Sequence, residues 1–152
     1  MKNKRIQIDQ LESKIRKFSD AGEQEKPTTG WIRAVRLALG MSLQQLAGKL
    51  KITKQSLREL EMREKEGSIT LKSLRDAANA LEMELVYGLV PKDGSLEKYI
   101  DKKANALARD IVMRSSNNMK LEDQEVSKQR QKKAIKERTL IIKRELPKAL
   151  WD

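Results

Sequence analysis

Apolar residues recur at intervals of three and four along most of the chain, which is the spacing of amphipathic helices. Between Ser42 and Glu61 this pattern predicts two short helices joined by a tight turn, with Ile52 at the corner. Thr53 is a good N-cap for the second helix. The apolar positions of the two helices are Leu43, Leu46, Ala47, Leu50, Leu57 and Leu60. Two helices that meet across so short a turn are typical of a helix-turn-helix, whose second helix meets base edges.

The N-terminal region is predicted to be a short helix followed by a linker. The helix covers residues 4–18 and needs a surface for its apolar face, which is either its own domain or a partner. The polar run over residues 19–29 contains Gly22 and Pro27 and is typical of a linker. The apolar face of the helix is formed by Ile8, Leu11, Ile15 and Phe18.

Two more helices are predicted on either side of the helical pair. The first begins at Trp31, directly after Gly30, and the other begins after a cap at Thr70 and runs to Leu81. Glu64 to Ser68 is expected to be a charged turn, in which Gly67 is a left-handed stop. The first of these helices has the following residues available for the core: Trp31, Ile32, Val35, Leu37, Ala38 and Leu39.

One segment, from Leu85 to Val90, has the β-branched and aromatic composition of a strand, and Pro91 follows it. A lone strand cannot satisfy its own hydrogen bonds. The segment must therefore pair with another part of the chain or with the same strand of a second subunit. No other stretch looks like a strand, which favours the second subunit.

The C-terminal part of the chain is predicted to be helical and basic. Helices are expected over residues 95–114 and 120–145, and Pro147 ends the second. From Ser95 onward there are 15 basic and 9 acidic residues, a net charge of +6 out of +11 for the whole chain. More than half of the excess charge therefore lies outside the helical pair. Trp151 is expected to pack against another part of the protein.

Composition narrows the classes of protein further. The 152 residues are 36% charged and 3% aromatic, which is typical of a mainly α protein with a modest core. A charge of +11 suits a polyanionic partner. The chain has no cysteine and no histidine, which excludes disulfides, Cys/His zinc sites and histidine-based catalysis. Without a membrane-length apolar run or a secretory signal, it is expected to be soluble and cytoplasmic.

The central region contains a characteristic set of residues, which are Arg36, Gly40, Ser42, Leu46, Ala47, Ile52, Thr53, Ser56, Leu57, Leu60 and Glu61. In these residues it resembles the phage-repressor-like helix-turn-helix domains of the XRE (Cro) type. The resemblance implies a helix-turn-helix bundle with one short strand over residues 30–91. The N-terminal helix and linker then occupy residues 1–29, and a basic helical extension for dimer or partner contact occupies residues 92–152.

Two positions of this resemblance concern the domain's stability. In such domains an arginine at the position of Arg36 pairs with the glutamate at the position of Glu61, so these two residues are expected to form a structural ion pair. Lys51 stands where the turn usually has a glycine. A left-handed conformation costs a lysine about 1 kcal/mol, so the turn is expected to be slightly reshaped.

The resemblance also assigns the base-reading positions. Lys54, Gln55 and Glu59 are expected to read base edges from the second helix. Glutamine can bond adenine bidentately, lysine favours guanine and glutamate accepts from cytosine.

Other polar residues of the motif are expected nearer the DNA backbone. Ser42 and Gln44 start the first helix, where exposed amides and short polar side chains can hold a phosphate. Thr53 and Arg58 are expected to contact the backbone of a double-stranded operator, and Ser56 could serve either purpose.

Several short stretches spread over most of the chain carry a second resemblance. They are Gly30-Trp31-Ile32-Arg33, Ser68-Ile69-Thr70-Leu71 with Leu74, Leu85-Val86-Tyr87 with Leu89-Val90-Pro91, Leu121-Glu122-Asp123-Gln124, and Leu146-Pro147 with Leu150-Trp151. In these stretches the chain is similar to the mobile mystery protein A family. That family occurs on mobile elements beside a partner with a Fic domain, an enzyme type that transfers AMP to proteins. The similarity implies an antitoxin that restrains the Fic protein and represses its own operon.

The helix by which Fic proteins are commonly inhibited has Ser or Thr, three residues, and Glu followed by Gly or Asn. Ser19 and Glu23 have this spacing, but Gln24 follows, and Glu66-Gly67 has Met62 in place of the Ser or Thr. Inhibition would therefore use another surface. The basic C-terminal helices with the Trp151 tail are the candidate, unless those helices complete the core of a dimer.

The favoured hypothesis is a homodimeric repressor on a palindromic operator that also acts as an antitoxin. The alternative is a stand-alone repressor of a mobile element or prophage without a toxin partner. An enzyme is disfavoured, and no cofactor is expected. Glu122, Asp123 and Glu125 could hold magnesium, but such acidic patches are far more often solvated helix surface.

Overall fold

The computed structural model of the protein describes residues 2–116 and 124–152. Helices dominate these residues, which confirms the expected mainly α fold. No helix among them is long and apolar enough to cross a membrane. The α-helices in chain order are α1 (Lys2–Arg16), α2 (Ser19–Gly22), α3 (Trp31–Ala38), α4 (Leu43–Leu50), α5 (Lys54–Glu66), α6 (Leu71–Ala80), α7 (Leu96–Ser116) and α8 (Gln124–Glu145), and a 3₁₀ helix covers Lys148–Trp151.

The chain forms two compact units. The central unit is Gly22–Gly88 and contains the helix-turn-helix, while the terminal unit consists of Met1–Ala21 and Leu89–Asp152. In the central unit α3, α4, α5 and α6 pack around one apolar core, in which Leu46 and Leu57 have no exposed surface. The buried residues of this core are Ile32, Leu46, Ala47, Leu57, Ala77 and Leu81.

Helix α3 contributes fewer apolar residues to this core than the sequence suggested. Ile32 is buried and Val35 packs against the core, as expected. Trp31, Leu37 and Leu39 are each more than half exposed, so their expected availability to the core is wrong. With only eight residues, α3 turns one narrow face inward, and Arg36 occupies part of that face.

No strand is present among residues 2–116 and 124–152, so the chain by itself does not form the strand expected from Leu85 to Val90. Pairing of this segment with another described part of the chain is wrong. The segment is neither helical nor hydrogen-bonded into a ladder, because a strand without a partner has no ladder to join. Pairing with a second subunit is a separate prediction, which a single chain does not test.

In the terminal unit α7 and α8 pack on each other around a second apolar core. Its buried residues are Ala104, Ala108, Ile142 and Leu150. The small alanines of α7 let the two helices approach closely. The Trp151 ring packs against Tyr99, with ring centroids 5.5 Å apart, although Trp151 is still 48% exposed.

Helix α1 is attached to the beginning of α7. The carboxylate of Glu12 accepts a hydrogen bond from the backbone N–H of Leu96 at 2.9 Å, and Arg5 forms an ion pair with Glu97 at 3.4 Å. Ile15 is buried, whereas Leu11 is half exposed. The predicted apolar face of this helix is thus only partly covered within the chain.

Lys143 near the end of α8 lies between two acidic residues of α7. Its Nζ forms ion pairs with Asp101 and, at 3.4 Å, with Glu97. The hydrogen bond with Asp101 raises the pKa of Lys143 above its ordinary value of 10.5, against the opposing effect of burial. Because the pKa is raised in the folded state, this stabilisation is fully present below that ordinary value and disappears as the pH rises through the folded-state pKa. The raised pKa of Lys143 therefore gives the unit no pH dependence of stability near neutrality.

Several predictions concern residues outside the described part of the chain. They include the start of the helix expected over 120–145, the Leu121-Glu122-Asp123 stretch, and the Glu122 and Asp123 carboxylates considered for magnesium. The side chain of Glu125 is likewise outside it.

Candidate nucleic-acid interface

Helix α4 begins with a capping box. The Oγ of Ser42 accepts a hydrogen bond from the N–H of Gln45 at 3.1 Å, and the side-chain oxygen of Gln45 accepts one from the N–H of Ser42 at 2.8 Å. These reciprocal bonds fix where the helix starts. Gln44, between the two, is exposed at the same end of the helix.

The turn between α4 and α5 has its left-handed residue at Lys51, with φ 59° and ψ 39°. The N–H of Ile52 donates to the carbonyl of Ala47 at 3.0 Å and closes the end of α4. The expected reshaping of this turn is therefore wrong. The turn keeps the left-handed conformation, and Lys51 bears its cost of about 1 kcal/mol.

Helix α5 begins with a second side-chain cap. The Oγ1 of Thr53 accepts a hydrogen bond from the N–H of Ser56 at 3.0 Å. The same hydroxyl donates to the Oγ of Ser56 at 2.8 Å. Both side chains are exposed, but each is already engaged in holding the helix end. Of the two hydroxyl hydrogens, that of Thr53 is donated to Ser56 and that of Ser56 is not used in these bonds.

The candidate base-reading residues project from the first two turns of α5. Leu57 anchors this part of the helix in the core with no exposed surface, while Lys54, Gln55 and Glu59 are exposed. Arg58 is exposed beside them. The structure thus brings all eight candidate residues to the surface of one unit, around the beginnings of α4 and α5. Their individual roles toward DNA stay predictions.

Arg36 and Glu61 form a buried ion pair that joins α3 to α5. Arg36 Nε lies 2.6 Å from Glu61 Oε1, and Nη2 lies 3.2 Å from Oε2. Arg36 Nη1 also donates to the carbonyl of Met41 at 3.1 Å. Each of the two residues is 6% exposed. A bidentate pair of this kind fixes both distance and orientation, so it sets how α3 crosses α5.

Glu64 is a positioning residue that the sequence reasoning missed. Its carboxylate accepts hydrogen bonds from the backbone N–H groups of Trp31 and Ile32, both at 2.8 Å. Glu64 is only 8% exposed, and it supplies the N-terminal cap that Gly30 cannot provide. A Cβ at Gly30 would lie 2.8 Å from Glu64 Oε1, and Gly30 has φ +88°. The available signal was Gly30 itself, which precedes a helix that has no local capping side chain.

A basic groove runs along the side of α5 that carries Arg58 and Lys65. It has a volume of about 390 Å³, and its lining includes the exposed cations Arg33, Arg58 and Lys65. The central unit has 11 basic and 9 acidic residues, a net charge of only +2. An attraction of this unit to polyanions therefore depends on where its cations are placed rather than on its net charge.

A family model described as helix-turn-helix matches residues 32–87, which span α3 to α6 and the start of the extended segment. Comparison with curated proteins and with solved structures gave no match. The chain therefore contains a helix-turn-helix domain of the XRE type. A domain of this class indicates a DNA-binding transcription regulator.

Proposed function

We propose that the protein is a sequence-specific repressor that binds a palindromic operator as a homodimer in the cytoplasm. The observation that carries this proposal is the presentation of Lys54, Gln55 and Glu59 on the solvent side of a helix whose opposite side is anchored in the core through Leu57. These three side chains offer the donors and acceptors that base edges in the major groove require.

The groove beside α5 supports a role for cations in phosphate contact. Arg33, Arg58 and Lys65 line this groove, and Arg58 directly precedes Glu59 on α5. Phosphate contacts fix register and orientation without reading sequence, so these residues give salt-dependent affinity.

Gln55→Ala is expected to relax the sequence preference at one base pair of each half-site. The lost bidentate contact corresponds to about 1 to 3 kcal/mol of discrimination. Binding to a set of duplexes that differ at single base pairs measures this loss. The matched control is Gln24→Ala in the run before α3, which is expected to leave both affinity and preference unchanged. An unchanged preference profile for Gln55→Ala would remove the residue from the base readers.

We further propose that the repressor is the antitoxin of a Fic-type toxin and represses the operon that encodes both. The resemblance over short stretches of most of the chain supports this role. The terminal unit is the proposed toxin-binding surface. It has its own apolar core, and several cations of α8, among them Lys132 and Lys136, are exposed together with nearly half of Trp151.

The antitoxin role is tested by co-purification of the full chain with the product of the neighbouring gene. A Lys132→Glu/Lys136→Glu variant is expected to lose the partner and keep its DNA binding. Lys54→Ala/Gln55→Ala should show the opposite, with sequence-specific DNA binding lost and partner binding kept. Absence of a Fic gene beside this one would favour the stand-alone repressor instead.

A further inference from the structure

Residues 84–90, which follow the last helix of the central unit, form no helix, turn or bend and have no backbone hydrogen-bond partners. The N–H of Met83 donates to the carbonyl of Ala78, and the next backbone hydrogen bond in the described chain joins Gly94 to Pro91. Within the described part of the chain, residues 84–90 therefore leave their backbone donors and acceptors to solvent. Such a row of unpaired groups is a template for pairing with another strand.

The side chains of this segment are unusually apolar for an exposed stretch. Val86 is 70% exposed, Tyr87 60% and Leu89 86%. Valine and tyrosine favour strands, and an exposed extended run of this composition is what a pairing strand presents. A second strand would cover the backbone groups and the apolar side chains at the same time.

We propose that residues 84–92 form a dimerisation strand, which pairs antiparallel with the same segment of a second copy around a two-fold axis at Gly88. In this register Val86 faces Val90 of the partner subunit, and Tyr87 faces Leu89 of the partner subunit. The inference rests on the proposed function in one respect, since an inverted-repeat operator requires a two-fold dimer.

Charge complementarity selects this register. With Gly88 on the axis, Glu84 lies opposite the partner's Lys92 at both ends of the paired strands. Opposite charges that face each other across strands are favourable, whereas like charges are not. Apolar residues occupy the positions between these ends, so the segment is complementary to itself.

Proline selects which edge of the strand faces the partner. Pro91 has no N–H, so the edge formed by the odd-numbered residues lacks one donor. The edge formed by Val86, Gly88 and Val90 keeps every donor and acceptor. In an antiparallel ladder those residues form the hydrogen-bonded pairs, and Pro91 falls at a position that requires no donor.

Single cysteines test the register directly, because the chain has no cysteine of its own. Gly88→Cys places two cysteines across the axis, where paired Cα atoms are about 5.5 Å apart, within the range of a disulfide. Mild oxidation of this variant is expected to give a covalent dimer. Val86→Cys alone is expected to stay uncrosslinked. In this register the two copies of position 86 are displaced from each other by four residues along the strands, about 13 Å. Mixing Val86→Cys with Val90→Cys chains is expected to restore the crosslink.

Proline variants give a second measurement that does not depend on oxidation. Val86→Pro removes a donor that faces the partner, and two such bonds are lost per dimer. The dissociation constant for self-association, measured by sedimentation, is expected to rise by about thirtyfold. Leu85→Pro removes a donor that faces away, and it is expected to change the constant far less.

Crosslinking of Val86→Cys alone as readily as Gly88→Cys would overturn the register. A native chain that sediments as a monomer at micromolar concentration would overturn the dimerisation strand altogether. Both measurements use the free protein. If two copies of such a chain still bound an inverted repeat with sequence preference, the proposed function would stand without this strand. A crosslinked dimer without sequence preference would contradict the proposed function alone.

Discussion

Replacing Arg36 with alanine is expected to lower the free energy of unfolding of the central unit by about 3 to 5 kcal/mol. The substitution leaves the Glu61 carboxylate buried without its bidentate partner, which lies at 2.6 and 3.2 Å in the native protein. It also removes the donor to the carbonyl of Met41. Urea unfolding followed by the fluorescence of Trp31, in a Trp151→Phe background, measures the central unit within the full chain.

Arg33→Ala is the matched control, because Arg33 is exposed on the same helix. A surface substitution of this kind is expected to change stability by no more than about 0.5 kcal/mol. The double variant Arg36→Met/Glu61→Leu removes both charges and is expected to recover most of the loss, since apolar replacements of buried pairs are often neutral. Equal stability of Arg36→Ala and Arg33→Ala would contradict the structural role assigned to the pair.

Glu64→Ala is expected to produce the second-largest loss, about 2 to 3 kcal/mol from the same unit. The N–H groups of Trp31 and Ile32 lose a charged acceptor, and Ile32 is only 2% exposed, so water replaces that acceptor poorly. The same urea titration measures the effect. Without this cap the start of helix α3 is no longer held in place. The position of Arg36, which lies on the same helix, is then no longer fixed either.

Glu66→Ala is the control for that substitution, because Glu66 is exposed two residues further along the same helix. Gly30→Ala should destabilise in the same direction as Glu64→Ala, since its Cβ would meet the Glu64 carboxylate and its φ is +88°. If Glu64→Ala proves no less stable than Glu66→Ala, the carboxylate is not the cap of α3.

Local chemistry explains why much of the helical framework could be predicted. Ser42, Thr53 and Thr70 accept hydrogen bonds from backbone N–H groups three residues later. Such bonds can be predicted from the sequence because Ser and Thr are preferred N-cap residues. Gly67 ends α5 at φ 83° for an equally local reason. The charged turn expected to begin at Glu64 is wrong in its start, because α5 continues to Glu66. The helix-turn-helix was predictable because its caps, turn and apolar spacing all lie within about twenty residues.

The features that were missed depend on contacts between distant parts of the chain. Glu64 lies more than thirty positions from the N–H groups that it caps, and nothing in its neighbourhood marks it as buried. The exposure of Trp31 and Leu37 depends on how little of α3 the other helices cover. Apolar character alone predicts burial, and it does not identify which face a short helix turns inward.

The segment from Leu85 to Val90 shows a different reason why a structural element could not be predicted from the sequence. Its composition predicts a strand, yet a strand is a property of at least two segments. Leu85 to Val90 has the side chains of a strand and an unpaired backbone in the described chain. Secondary structure could not be assigned here from the sequence, because no other segment of the described chain completes the ladder.

Selection of bound duplexes from a random pool tests most directly whether this protein reads DNA sequence through α5. The native protein is predicted to enrich an inverted repeat whose half-sites are centred about 34 to 36 Å apart, or a multiple of one helical turn. The Lys54→Ala/Gln55→Ala variant is predicted to lose that enrichment while it keeps salt-dependent binding to the pool. Recovery of the same motif by both proteins, or of no motif by the native protein, would contradict the assignment of α5 as the reading helix.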